Sequence, residues 1–128
     1  MIEIPGAVLD ELEAHAGRSD PREACAVLLG RGGRVERAEL AENADASASS
    51  FSISPARLLE IYGAAEGRGE EVVGIFHSHP ASAARPSGTD ERYMAANAVP
   101  WVIYSGVDGT FAAFEAGGGV REIGIRRT

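Results

Sequence analysis

Val72-Val73-Gly74-Ile75-Phe76-His77-Ser78-His79-Pro80 is the stretch on which the reading of this chain turns. The apolar run is too short for a helix and reads as a buried strand over Glu71–Phe76. His77 and His79 follow at its exit. Along a strand, residues i and i+2 point to one face, so both imidazoles can reach a single metal ion. Asp90 comes eleven residues after His79, near the start of the next helix, and the loop Pro80–Pro86 is long enough to swing that helix back over the strand end. Two neutral nitrogens and one carboxylate suit Zn²⁺, one per chain, with water in the fourth position, which is the mark of a catalytic rather than a structural zinc.

Outward from this stretch, apolar periodicity and turn residues predict the other elements. Met1–Ile4 reads as a short strand, and Pro5 opens a helix over Ala7–Ala16 with Val8, Leu9, Leu12 and Ala16 on one face. Ala24–Leu29 reads as a buried strand that turns through Gly30-Arg31-Gly32-Gly33 into Val35–Leu40. Phe51-Ser52-Ile53 reads as a third strand of this region. Ser54 caps a helix over Pro55–Ala65 that should bury Leu58, Leu59 and Tyr62. A helix over Thr89–Ala98 stops before Pro100. Trp101–Tyr104 and Thr110–Phe114 make a hairpin, and Val120–Ile125 is a last strand. Helices and strands alternate irregularly, which predicts an α+β or mixed α/β sheet rather than a doubly wound parallel one.

The chain also resembles a known family. His77-Ser78-His79-Pro80, the ten-residue spacer to Asp90, Ser87 three residues before that aspartate, and the upstream segment Pro21-Arg22-Glu23-Ala24-Cys25-Ala26 together resemble the JAMM (MPN-plus) metalloproteases. Ala26 stands where the family usually has glycine. The resemblance implies one metalloprotease domain over residues 1–128, a curved mixed β-sheet flanked by helices, in the MPN/cytidine-deaminase-like architecture. It implies His77, His79 and Asp90 as zinc ligands. Glu23 would hold the zinc-bound water, act as general base and pass the proton to the leaving amine. Ser87 would donate to the oxyanion. It implies cleavage after the Gly-Gly tail of a ubiquitin-like or sulfur-carrier protein, with an extended tail adding to a strand edge beside the zinc. The RadC-like branch, linked to DNA repair, and a non-catalytic MPN scaffold are the competing readings.

Several residues carry a plainer reading as well. Ser87-x-x-Asp90 is also a helix capping box. Cys25 sits in a buried run, on the strand face opposite Glu23, and reads as an inert small hydrophobe. His15 reads as a surface residue near a helix C-terminus. Arg85 and Arg92, which flank the motif, read as solvated.

Length and charge set the outer bounds. The chain has 128 residues, enough for a single domain with its own core. Nineteen acidic residues face 12 basic ones, all arginine, for a net charge of −7. Such a balance opposes binding to a phosphate backbone, so no nucleic acid is expected. With no lysine, the chain offers no side-chain amine for isopeptide tagging. One cysteine excludes an intramolecular disulfide, and neither a signal peptide nor a membrane span is legible at residues 1–5 or beyond, so a cytoplasmic location is expected.

Overall fold

The elements follow one another as β1 (Ile2–Ile4), α1 (Gly6–Ser19), β2 (Cys25–Arg31), β3 (Arg34–Ala41), α2 (Pro55–Gly67), β4 (Glu71–His79), α3 (Gly88–Ala96), β5 (Trp101–Ser105), β6 (Thr110–Ala116), β7 (Val120–Ile123) and β8 (Ile125–Arg127). They are described from a computed structural model of residues 1–128. All eight strands form one mixed sheet in the order β7-β6-β5-β4-β2-β3-β1-β8. β4 lies at its centre, antiparallel to β2 and parallel to β5. β7 and β8 occupy opposite edges, yet only Gly124 separates them in sequence. The sheet must therefore curl until its two edges come together, and Ile123 and Ile125 pack against the same core.

Strand alternation sorts the side chains onto two faces. Ala26, Leu28, Phe76 and Val102 meet Val8, Leu9, Leu12 and Ala16 of α1 in the larger core. Val27 and Leu29 face the other way and pack against Ile61 and Ala65 of α2. Met94 of α3 covers Trp101, Ile103 and Phe114 on that same side. Burying these side chains supplies the main stabilisation, at about 25 cal/mol per Å² of apolar surface. No helix is long and apolar enough to cross a membrane.

The structure alters five of the expected elements. Phe51–Ile53 is not a strand; it runs unpaired between β3 and α2. α1 continues past Gly17 to Ser19, because one glycine in an exposed helix face costs only ~1 kcal/mol. In α2 the buried residues are Ile61 and Ala65, while Leu59 and Tyr62 are 73% and 44% exposed. Leu58 is half-buried. β4 runs three residues further than expected, to His79, because β5 pairs with it up to Ser105. The expected last strand is two strands, split at Gly124.

Gly30 sits where the β2–β3 register shifts, and a Cβ there would stand 1.8 Å from the Arg34 carbonyl oxygen. Backbone cannot yield that much cheaply. Gly30→Ala should cost about 2 kcal/mol or more in urea unfolding. Gly17→Ala, where nothing lies within 4 Å, should be neutral or stabilise by up to ~1 kcal/mol.

Candidate metal centre

β4 delivers His77 and His79 to the face that α2 and α3 cover, and both rings are buried. The strand–helix–strand crossover from β4 to β5 brings α3 back over the strand end, so that Asp90 in its first turn meets both rings. The Nε2 atoms of His77 and His79 are 3.1 Å apart, and each is 3.1 Å from Oδ2 of Asp90. Glu23 closes the group: one ligand atom from each of Glu23, His77 and His79 lies within 4.8 Å of the others, an arrangement able to hold a metal ion.

The hydrogen bonds around this group define what it lacks. Nδ1 of His79 is 2.9 Å from the Ala83 carbonyl, which can only accept, so Nδ1 carries the proton. In a neutral ring, Nε2 then presents a lone pair to the Asp90 carboxylate. Two lone pairs at this distance repel unless a further proton or a cation lies between them. The Ala83 carbonyl also occupies the position of the outer partner that usually fixes a metal-binding imidazole.

The electrostatics follow from burial and this convergence. Burial holds His77 below its ordinary pKa, although Asp90 pulls the other way. Burial also opposes charge on His79, but its bonds to Asp90 and Ala83 outweigh that and raise its pKa. Asp90 is buried too, yet the two imidazoles hold its carboxyl well below the usual carboxylate range. Burial pushes Glu23 up to about 7, with Asp90 adding to the rise and His79 opposing it. Oε1 of Glu23 is buried with no partner in the protein.

Local structure fixes each group. Ser87 and Asp90 form the capping box: Ser87 Oγ accepts from the Asp90 N–H at 3.1 Å, and Asp90 Oδ2 accepts from the Ser87 N–H at 2.9 Å. The cap thus aims the carboxylate at the histidines. Glu23 is pinned by its main chain. Its N–H donates to Ser47, its carbonyl accepts from Asn43 Nδ2, and the next N–H, of Ala24, donates to Ser78 Oγ at 2.8 Å. Phe51 stacks on His77 at 4.8 Å and 19°, and Trp101 meets the same ring edge-on.

Cys25 is opposite His77 in the antiparallel β2–β4 register, so the two share a face. Cys25 therefore lies on the same side as Glu23, contrary to expectation; Glu23 precedes β2, and its chain carries the carboxylate to the histidines. Burial pushes the Cys25 thiol up to about 12, which leaves it inert at neutral pH. His15 is not a free surface residue: its Nε2 donates to the Cys25 carbonyl at 3.0 Å and ties α1 to β2. Arg85 and Arg92 are exposed. Asn43, Phe51 and Trp101 had no signal of function in the sequence; Asn43 lies at the mouth of a polar loop, and the two aromatics read as ordinary strand residues.

A strand-end pair of histidines facing a capped aspartate, on a curled mixed sheet, defines the JAB/MPN class of fold and site. The family model for prokaryotic homologs of the JAB domain matches residues 5–117. The chain belongs to this family. It is 35% identical over 104 residues to the CysO-cysteine peptidase of Mycobacterium tuberculosis, covering 80% of this chain and 71% of that one. It is 30% identical over 123 residues to the desampylase of Haloferax volcanii, covering 93% and 88%. It is 37% identical over 111 residues to tail tip assembly protein K of Escherichia phage N15, covering 86% of this chain but only 43% of that protein. Among solved structures, a protein from Desulfitobacterium hafniense superposes with a TM-score of 0.89 at 33% identity, covering 100% of this chain and 93% of that one. A JAB1/MPN domain protein from Archaeoglobus fulgidus shares the fold at a TM-score of 0.67 and 20% identity, covering 100% and 97%.

Ser87→Ala should remove one half of the capping box and cost about 1 kcal/mol in thermal unfolding. Ser87→Thr, which keeps the acceptor oxygen, should restore most of that loss.

Proposed function

We propose that this protein is a zinc-dependent hydrolase that cuts the peptide or isopeptide bond after the C-terminal glycine of a ubiquitin-like or sulfur-carrier protein. The observation that carries the reading is the convergence of two imidazole nitrogens and a carboxylate oxygen, mutually 3.1 Å apart, beside Glu23. The relatives support the substrate class: one is named for the CysO-cysteine bond, another as a desampylase, and a Thermus thermophilus relative as a probable TtuB-protein conjugate cleaving protease.

His77, His79 and Asp90 would hold the zinc. Tetrahedral ligands at about 2.0–2.1 Å from zinc stand roughly 3.3 Å from one another, close to the separation found here. The ion supplies a Lewis acid that polarises the scissile carbonyl and lowers the pKa of water towards ~7. Glu23, buried and without a partner for Oε1, takes a proton from the attacking water. It returns that proton to the departing nitrogen as the C–N bond breaks, so the products are a carboxylic acid and a free amine. Ser87 Oγ accepts from Asp90 and keeps its own hydroxyl proton available for the oxyanion. Cys25 takes no part.

Purified protein should carry one zinc per chain by elemental analysis, and His77→Ala should lose it, since two remaining protein ligands rarely hold catalytic zinc. Full occupancy in the His77→Ala protein would remove that residue from the ligand set.

Glu23→Gln should retain zinc and thermal stability while kcat on a cleavable carrier falls ~10²–10⁴-fold. Near-normal turnover by that variant would rule out Glu23 as the base.

A further inference from the structure

An acid that returns a proton to a departing nitrogen must have the leaving group beside it. The space next to Glu23 is a cleft of about 660 Å³, and Glu23 is part of its wall. The last turn of α1, the link from α1 to β2 and the residues around the end of β3 enclose the rest. The cleft lies at the end of the sheet that carries the histidines, because Cys25, the first residue of β2, is opposite both Ala41 of β3 and His77 of β4. Glu23 belongs at once to this cleft and to the cluster of ligand atoms around His77 and His79. The volume is within the range of small-molecule sites.

The polar groups of the cleft fall into two sets. Some already serve the protein: His15 Nε2 donates to the Cys25 carbonyl, and the Asn43 side chain closes the loop after β3. The charged ends do not. Arg18, Arg22, Asp20 and Glu42 line the cleft, and none of them forms an ion pair. For the acids this is expected, since the chain has 19 acidic residues and 12 arginines. For the arginines it is not: seven of the 12 are ion-paired, and carboxylates are in excess. Arg18 stands in the last turn of α1, where a cation is favoured in any case. Arg22 has no such reason, and it immediately precedes Glu23. Guanidinium groups left free beside the acid that serves a departing amine suit a carboxylate carried by that amine. Asp20 and Glu42 repel a second negative charge on the same ligand.

We propose that this cleft receives the leaving group as an α-amino acid, whose free carboxylate pairs with Arg18 and Arg22 and whose side chain Asp20 and Glu42 require to be other than acidic. The proposal rests on reading the site as a hydrolase of glycine-ended tails and assigns the amine side of that site.

The test uses the full chain with zinc bound and a labelled ubiquitin-like carrier extended past its Gly-Gly tail by one alanine, as the free acid or as the carboxamide. The acid should be cut with a KM about tenfold below that of the amide. Arg18→Gln with Arg22→Gln should raise the KM of the acid to that of the amide and leave the amide unchanged; the two Arg→Lys substitutions should restore part of the gap. Arg85→Gln, an unpaired arginine outside the cleft, should leave the gap intact. Aspartate as the leaving residue should be cut roughly threefold less well than asparagine, and Glu42→Gln should narrow that difference. Binding to zinc-loaded Glu23→Gln protein, followed by anisotropy, gives a readout that needs no turnover, and the acid should again bind about tenfold more tightly than the amide. Equal KM values for acid and amide, with the carrier cut, overturn the subsite and spare the hydrolase reading. A preference for acid over amide in binding that the double Arg→Gln variant abolishes, with no carrier ever cut, upholds the subsite and sinks the hydrolase reading. A preference that survives the double variant places the carboxylate on the zinc and overturns the proposal. A lysine isopeptide cut with a lower KM than any free acid, and weakened by Asp20→Asn or Glu42→Gln, assigns the cleft to a cationic side chain and also overturns it.

Discussion

The pairing of β4 on both sides up to its last residues is the constraint from which the site follows. A strand held at both edges cannot slip or rotate, so the alternation of its side chains is fixed. Phe76 and Ser78 are committed to the α1 side, His77 and His79 to the side of α2 and α3. The two faces then do different work. Ser78 Oγ receives the Ala24 N–H and fixes the main chain beside Glu23, and the Ser78 N–H returns a bond to the Ala24 carbonyl. The histidines wait for a carboxylate from above, which the crossover helix α3 supplies. One strand therefore sets the position of every group in the centre, two directly and two through its neighbours.

The centre is electrostatically incomplete as protein alone. A buried carboxylate, two buried imidazoles and a second buried acid with an unpartnered oxygen carry a desolvation penalty that is recovered only when positive charge is present. The surrounding hydrogen bonds do not relieve it; they orient it. The cap on α3 holds Asp90, the Ala83 carbonyl holds His79, and the Phe51 stack closes over His77. Such rigidity is what an ion-binding site would require of its frame.

The centre was more legible than the fold around it. His77, Ser78 and His79 announce themselves because two-residue spacing on a strand has one geometric meaning, and Ser87-x-x-Asp90 because a capping box does too. On α2, Leu59 and Tyr62 satisfy an apolar pattern while the core selects Ile61 and Ala65; periodicity gives a stripe, and only the neighbouring sheet decides which edge of the stripe is covered. Phe51–Ile53 has the side chains of a strand but no partner strand, a fact no local pattern contains. The role of Asn43 was invisible for a similar reason. Its side chain binds the carbonyls of Glu23, Ser47 and Ser50 and accepts the N–H groups of Asp45 and Ser52, five contacts that exist only once the loop is closed.

The meeting of the sheet's two edges has a consequence in time. Ile2 is in register with Ile125, so the contact that closes the sheet spans nearly the whole chain, and such contacts are slow to form because their loop entropy must be met first. During synthesis the outer edge of β1 stays open until residues 125–127 emerge. The centre around β4 has no such dependence, since β2, β4 and β5 are complete by residue 105. The order of emergence lets the two histidines, Asp90 and Glu23 come together first and the sheet close last.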